Sequence, residues 1–295
     1  MPVPMMRRGL MLIVCLGSLS VAASACSAAE RLPKDEEFTV PISELSGLGS
    51  RRLPDGSVEM LAVADEANEL VAIPVGKDGL EVAKLRRIPL PLRVEAGGSE
   101  FEGVTVDAGG LVHVLVERGA VASFRFVKDV AFLVSERAIE FPEDHPLAPS
   151  WKADENARAE GIAVIDGRFF IVKQEAPVAL VELEDLGRTF RAGRSWDLDG
   201  LDDASDIAVG ERGLHVVGAK TGMVCLVPVP SPERGPVTQA RGSLDCLQRW
   251  DLPGVLGDGK VRWEGLAILP DGRTLAGIDR KKTDSPNLAI LRPMR

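Results

Sequence analysis

Phe101-Glu102-Gly103-Val104 and Trp263-Glu264-Gly265-Leu266 read alike, and three further segments join them: Leu45-Ser46-Gly47-Leu48, Ala159-Glu160-Gly161-Ile162 and Ala204-Ser205-Asp206-Ile207. They recur about every 45 to 60 residues, the length of a four-stranded unit in a radial β repeat. Each opens an alternating apolar strand that runs to a turn signal: Pro54-Asp55-Gly56, Gly109-Gly110, Asp166-Gly167, Arg212-Gly213 or Pro270-Asp271-Gly272. Glycine supplies the positive φ that a tight hairpin needs. Second strands follow at Met60 to Ala64, Leu111 to Val116, Phe169 to Val172, Leu214 to Gly218 and Thr274 to Ile278. Third strands begin at Leu70, Val121, Val178, Met223 and Leu288.

The fourth strands set the count. Arg87-Ile88-Pro89-Leu90, Ala138-Ile139-Glu140-Phe141, Ser195-Trp196-Asp197-Leu198 and Arg249-Trp250-Asp251-Leu252 each precede a repeat opening, as Phe38-Thr39-Val40-Pro41 precedes the first. The last repeat ends after its third strand, at Leu291. The expected fold is therefore all-β, a five-bladed β-propeller over residues 37–295, closed when the amino-terminal strand completes the last blade. A six-bladed propeller or a β-sandwich is the alternative, because hairpin spacing alone does not impose radial order. Helical periodicity is not sustained anywhere; residues 152 to 160, rich in Ala and Glu, suit a turn of helix within a loop.

Arg7 and Arg8, the apolar run from Leu10 to Val21, and Ala23-Ser24-Ala25 have the layout of a secretory signal peptide over residues 1–25. A tether over residues 26–36 would follow. The apolar run is shorter than the roughly 20 residues a membrane-spanning helix needs. Cys26 directly after the small-residue site also fits acylation as a lipoprotein. The expected location is the periplasm or the outer membrane, with a membrane reached only through that anchor. Formal net charge is -9, or about -11 once Arg7 and Arg8 are removed. Such a surface repels phosphate backbones, which excludes nucleic acid as a partner and favours cations. A monomer is expected.

Glu44-Leu45-Ser46-Gly47, Phe101-Glu102-Gly103-Val104, Glu264-Gly265-Leu266-Ala267 and the run from Leu201 to Val209, Leu-Asp-Asp-Ala-Ser-Asp-Ile-Ala-Val, resemble the SdiA-regulated family of bacterial propellers across the whole mature chain. The resemblance implies an exported propeller able to bind calcium. Lys173, Gly218 and Lys220 stand where such families more often carry acidic residues.

One repeat position holds Ser46, Glu102, Glu160, Ser205 and Glu264. If the first strands line a central channel, Glu102, Glu160 and Glu264 face one axis, and oxygen-only acceptors of this kind suit a hard cation such as Ca²⁺. Without a cation, two carboxylates about 6 Å apart repel by roughly 3 kcal/mol at an effective dielectric near 20, so some stay protonated. Asp206, in place of the repeat's glycine, is a fourth candidate metal ligand. The competing reading is that these side chains accept backbone N–H groups and simply join neighbouring blades, or, for Asp206, bond locally.

A second set, Asp65, Glu117, Lys173, Lys220, Asp279 and Arg280, ends the second strands and would meet on one rim, where it could orient a small ligand or protein partner. Solvated or cross-blade pairing is the plainer role. The pair Asp65-Glu66 belongs to this set. His113 and His215 take equivalent packing positions, and the Gly-x-Ser-x-Gly nucleophile, phosphate loop and Cys/His zinc spacings are missing from the sequence. The expected function is thus a cation-binding propeller that holds a ligand on one face; a metal-dependent hydrolase of a phosphoester, ester or lactone and a structural envelope protein are the alternatives. Cys225 lies on the third strand of the fourth repeat and Cys246 leads into the fourth strand that pairs with it, within disulfide reach; two buried thiols are the alternative.

Overall fold

The computed structural model describes residues 29–65, 67–92, 100–153, 158–175, 177–232, 241–253, 261–281 and 283–294. The expected signal peptide, Cys26 and Glu66 lie outside the described residues. After β1 (Glu30–Arg31) and β2 (Lys34–Phe38), the chain makes an antiparallel meander of β3 (Leu45–Arg52), β4 (Val58–Ala64), β5 (Ala67–Gly76), the short β6 (Gly79–Leu80) and β7 (Arg86–Pro89). The second meander is β8 (Phe101–Val106), β9 (Val112–Val116), β10 (Ala120–Val127) and β11 (Val130–Glu140). After a helix, α1 (Ala148–Ala153), comes the third: β12 (Gly161–Ile165), β13 (Arg168–Lys173), β14 (Ala179–Asp185) and β15 (Phe190–Asp199). The fourth contains β16 (Asp206–Gly210), β17 (Gly213–Val217), β18 (Met223–Val227) and, after the separate β19 (Arg241–Asp245), β20 (Gln248–Asp251). The last contains β21 (Trp263–Ile268), β22 (Thr274–Ile278) and β23 (Leu288–Leu291), and its outer strand is β2, antiparallel to β23 with Phe38 opposite Leu288.

Alternation along each strand decides how the meanders stack, because successive side chains point to opposite faces. On β4, Met60 and Ala62 face a core shared with Leu275, Leu288 and Ile290 of the last meander. Leu61 and Val63, one residue out of phase, face Val104, Val114 and Phe124 of the second. The same alternation joins the second to the third through Leu115, Val121, Ile171 and Val181, and the third to the fourth through Phe170, Val172, Val216 and Cys225. Val217, Val224, Ala276 and Ile278 join the fourth to the last. The fold is all-β, with the sheet arrangement of a β-propeller.

The first strand of each meander packs on the next, and from the first to the fourth meander the glycines at this junction meet mainly backbone, whereas Gly265 of the last meets the Leu45 and Leu48 side chains of the first. A Cβ at Gly47 would stand 2.7 Å from the Gly103 Cα, and one at Gly161 would stand 2.7 Å from the Ile207 nitrogen. Asp206 joins this junction from the fourth meander: Oδ2 accepts the Leu48 and Leu266 N–H groups at 3.2 and 2.8 Å, and Oδ1 accepts the Ile207 N–H at 2.8 Å. One buried carboxyl therefore links β3, β16 and β21.

Strand pairing starts earlier than the expected tether boundary allows. β1 adds in parallel to the outer edge of β20, and β2 begins at Lys34. β19, which the repeat pattern does not contain, adds in parallel to β15. The helix is at Ala148–Ala153, ahead of most of the expected 152 to 160 stretch. Cys225 and Cys246 form a disulfide across a Cα separation of 5.4 Å.

Two outcomes follow. Gly47→Ala should lower the unfolding free energy by about 1 to 3 kcal/mol in urea titration, because the neighbouring atoms are backbone and cannot rotate away; wild-type stability would show that β3 and β8 do not meet in this way. Replacing Cys225 and Cys246 by Ser should cost about 3 kcal/mol in the chain-entropy view of a loop of this length. Two alkylatable thiols at these positions in the unreduced protein, seen by intact mass, would contradict the bond.

Candidate functional site

The starts of the first strands and the ends of the second strands open onto one cavity of about 430 Å³. β3, β8, β12 and β21 bring Ser46, Glu102, Glu160 and Glu264 to its wall, and the strand ends bring Asp65, Glu117, Gln174 and Asp279, with Lys220 just beyond β17. Glu44, Glu175 and Arg262 add to the charged lining, which among the described residues holds eight carboxyl groups against two cations. Both cations are already paired: Arg262 Nε donates to Glu264 Oε1 at 2.5 Å, and Lys220 Nζ donates to Glu175 Oε2 at 2.8 Å.

Several expected residues are placed elsewhere. Asp206 is not among the lining residues, and its oxygens are occupied by the backbone donors described above. Ser205 donates to the Trp263 carbonyl at 2.6 Å. Lys173 is buried, donates to the Glu175 carbonyl at 2.6 Å and does not line the cavity. Arg280 is also outside the lining, and its carbonyl accepts the Glu44 N–H at 3.0 Å. Both strand histidines are buried; His113 Nδ1 lies 2.9 Å from the Ser123 hydroxyl, and burial holds the His215 imidazole down to about 4, hence neutral.

Burial is also the main force on the acidic groups. It pushes the Glu102 carboxyl up to about 8, with Glu117, Asp65 and Glu264 adding repulsion. Glu160 is raised well above the ordinary range by burial, then by Glu102 and Glu264. Glu264 reaches about 7, where burial outweighs the opposing Arg262 guanidinium. Asp65 and Asp279 are raised too, by burial and then by Glu44. Glu160 is only 7% exposed, and its carboxyl has no hydrogen-bond or ion-pair partner among the described residues. Its carboxyl opens onto the cavity. Among the described residues, no three His, Cys, Asp or Glu side chains are set closely enough to hold a metal ion as they stand.

The sheet order and the packing of the first strands place the chain in the broad class of β-propellers. It is similar to the glutaminyl cyclase of Myxococcus xanthus, with 12% identity, 90% of this chain and 98% of that chain covered, and a TM-score of 0.56. The aldose sugar dehydrogenase of Streptomyces coelicolor in its PQQ-bound form is covered to 99% by 90% of this chain at 12% identity, TM-score 0.49. The soluble aldose sugar dehydrogenase of Escherichia coli gives 13% identity over 88% of this chain and 99% of that one, TM-score 0.49. At 12% identity the likeness to the cyclase shows the fold alone. No protein-family model matches the sequence, and no curated protein matches it.

The raised carboxyls fix a direction of pH dependence. A glutamate that titrates near 8 folded and near 4.5 unfolded keeps its proton where the unfolded chain has lost it, so stability falls as pH rises between those values and levels off above. The melting temperature in chelator-treated buffer should therefore drop from pH 5 to about pH 8, with a smaller drop for Glu102→Gln. A rising profile over that window would contradict the buried acidic cluster.

Proposed function

We propose that this chain is an exported five-bladed propeller, closed by β2 on β23, whose acidic cavity binds a cation and presents a small ligand or protein partner on that face. The blade count is supported by the stacking of the last meander on the first through Leu45, Leu48, Leu275 and Leu288. Export is supported by the amino-terminal layout of basic residues, apolar run and small-residue site. No helix among the described residues is long and apolar enough to cross a membrane.

The observation that carries the cation reading is Glu160, buried and without a partner beside Glu102 and Glu264. Three carboxyls in a shared low-dielectric space repel one another until a positive charge or protons enter. Oxygen acceptors make calcium the metal to test first, and its binding requires Glu102, Glu160 and Glu264 to draw together from their present positions. Calorimetric titration of chelator-treated protein with CaCl₂ should show saturable binding and a raised melting temperature. Glu160→Gln should weaken binding by at least about tenfold. An absence of heat and an unchanged melting temperature would remove calcium as the occupant.

A further inference from the structure

The cavity is much larger than the shell of an ion whose oxygens stand at about 2.3 to 2.6 Å, and its volume of about 430 Å³ falls in the range of small organic ligands. Its acidic groups form two sets. Glu102, Glu160 and Glu264 begin inner strands, whereas Asp65 and Asp279 end second strands in the first and last meanders, beside Glu44. In the first set Glu160 is 7% exposed, opens onto the cavity and has no side-chain partner among the described residues; in the second, Asp279 Oδ1 is buried with no hydrogen-bond partner.

The lining has no aromatic ring, so it lacks the cage that suits a quaternary ammonium. It offers carboxyl oxygens instead, the complement of a primary ammonium with three N–H donors. An anionic ligand is disfavoured because Arg262 and Lys220 are already paired within an acidic wall.

We propose that the occupant is a linear diamine or polyamine, one ammonium held by Glu102, Glu160 and Glu264 and another by Asp65 and Asp279. This rests on the cation reading and narrows it to an organic class. The methylenes between the ammonium groups would fill the volume that a single ion leaves open.

Calorimetry in chelator-containing buffer at low salt with 1,3-diaminopropane, 1,4-diaminobutane, 1,5-diaminopentane and spermidine, against n-butylamine, tests it, with CaCl₂ titrated separately into chelator-free buffer. One or more diamines should bind at least about tenfold tighter than n-butylamine, with affinity depending on chain length. Asp65→Asn combined with Asp279→Asn should bring the preferred diamine down to the n-butylamine level measured on the same variant, removing the dependence on chain length. Equal affinity for diamines and n-butylamine would overturn the two-set assignment. Calcium binding with no amine binding would overturn the organic class and leave the cation reading in place. Failure of every amine and of calcium would remove both.

Discussion

The innermost strands meet backbone to backbone, and this close approach sets where everything else can stand. A side chain at Gly47, Gly103 or Gly161 would put a Cβ within 3.0 Å of a neighbouring backbone atom. With those positions bare, the residues just before them, Ser46, Glu102 and Glu160, reach the common cavity, and Glu264 does so in the last meander. Removing side chains from one position thus concentrates charge at the next.

Two buried acids in the same strand layer illustrate what a partner does. Asp206 is fully buried, and its carboxyl receives three backbone N–H groups from two meanders and its own strand. Those donors oppose the upward pressure of burial and make the residue a structural joint. Glu160, one meander away, has no such donors and faces open volume. Burial and the neighbouring Glu102 and Glu264 therefore hold its carboxyl well above the ordinary range.

Much of the layout was legible because hairpins repeat a local code. Turn glycines such as Gly56 and Gly272, both at φ 86°, recur at fixed distance from each strand opening, and strand-end charges follow from the same register. Asp65, Glu117, Lys220 and Asp279 accordingly line one cavity. Lys173 and Arg280 do not, since a strand-end residue points either inward or outward and the repeat register alone does not distinguish these. Arg262 and Glu175 were not expected there for a different reason: each sits in a connection outside the repeated motif, one or two residues from a position within it, and Glu44, which opens the first repeat segment, has no consistently acidic counterpart in the other repeats to mark it. β1 and β19 were hidden because parallel edge additions of 2 and 5 residues have no hairpin partner nearby in sequence.

The pairing of β2 with β23 also orders events in time. Arg292 donates to Asp35 at 3.1 Å across a sequence separation of 257, and its N–H meets the Pro33 carbonyl at 3.3 Å. β2 is synthesised well before β23, so their pairing cannot form until β23 has emerged, and closure depends on contacts of extreme sequence separation, which form slowly. A chain emerging amino end first can build its middle sheets as it appears, but it leaves β23 and the outer edge of its last sheet uncovered until β2 docks. That interval is when strand-to-strand association with other molecules is the greatest hazard.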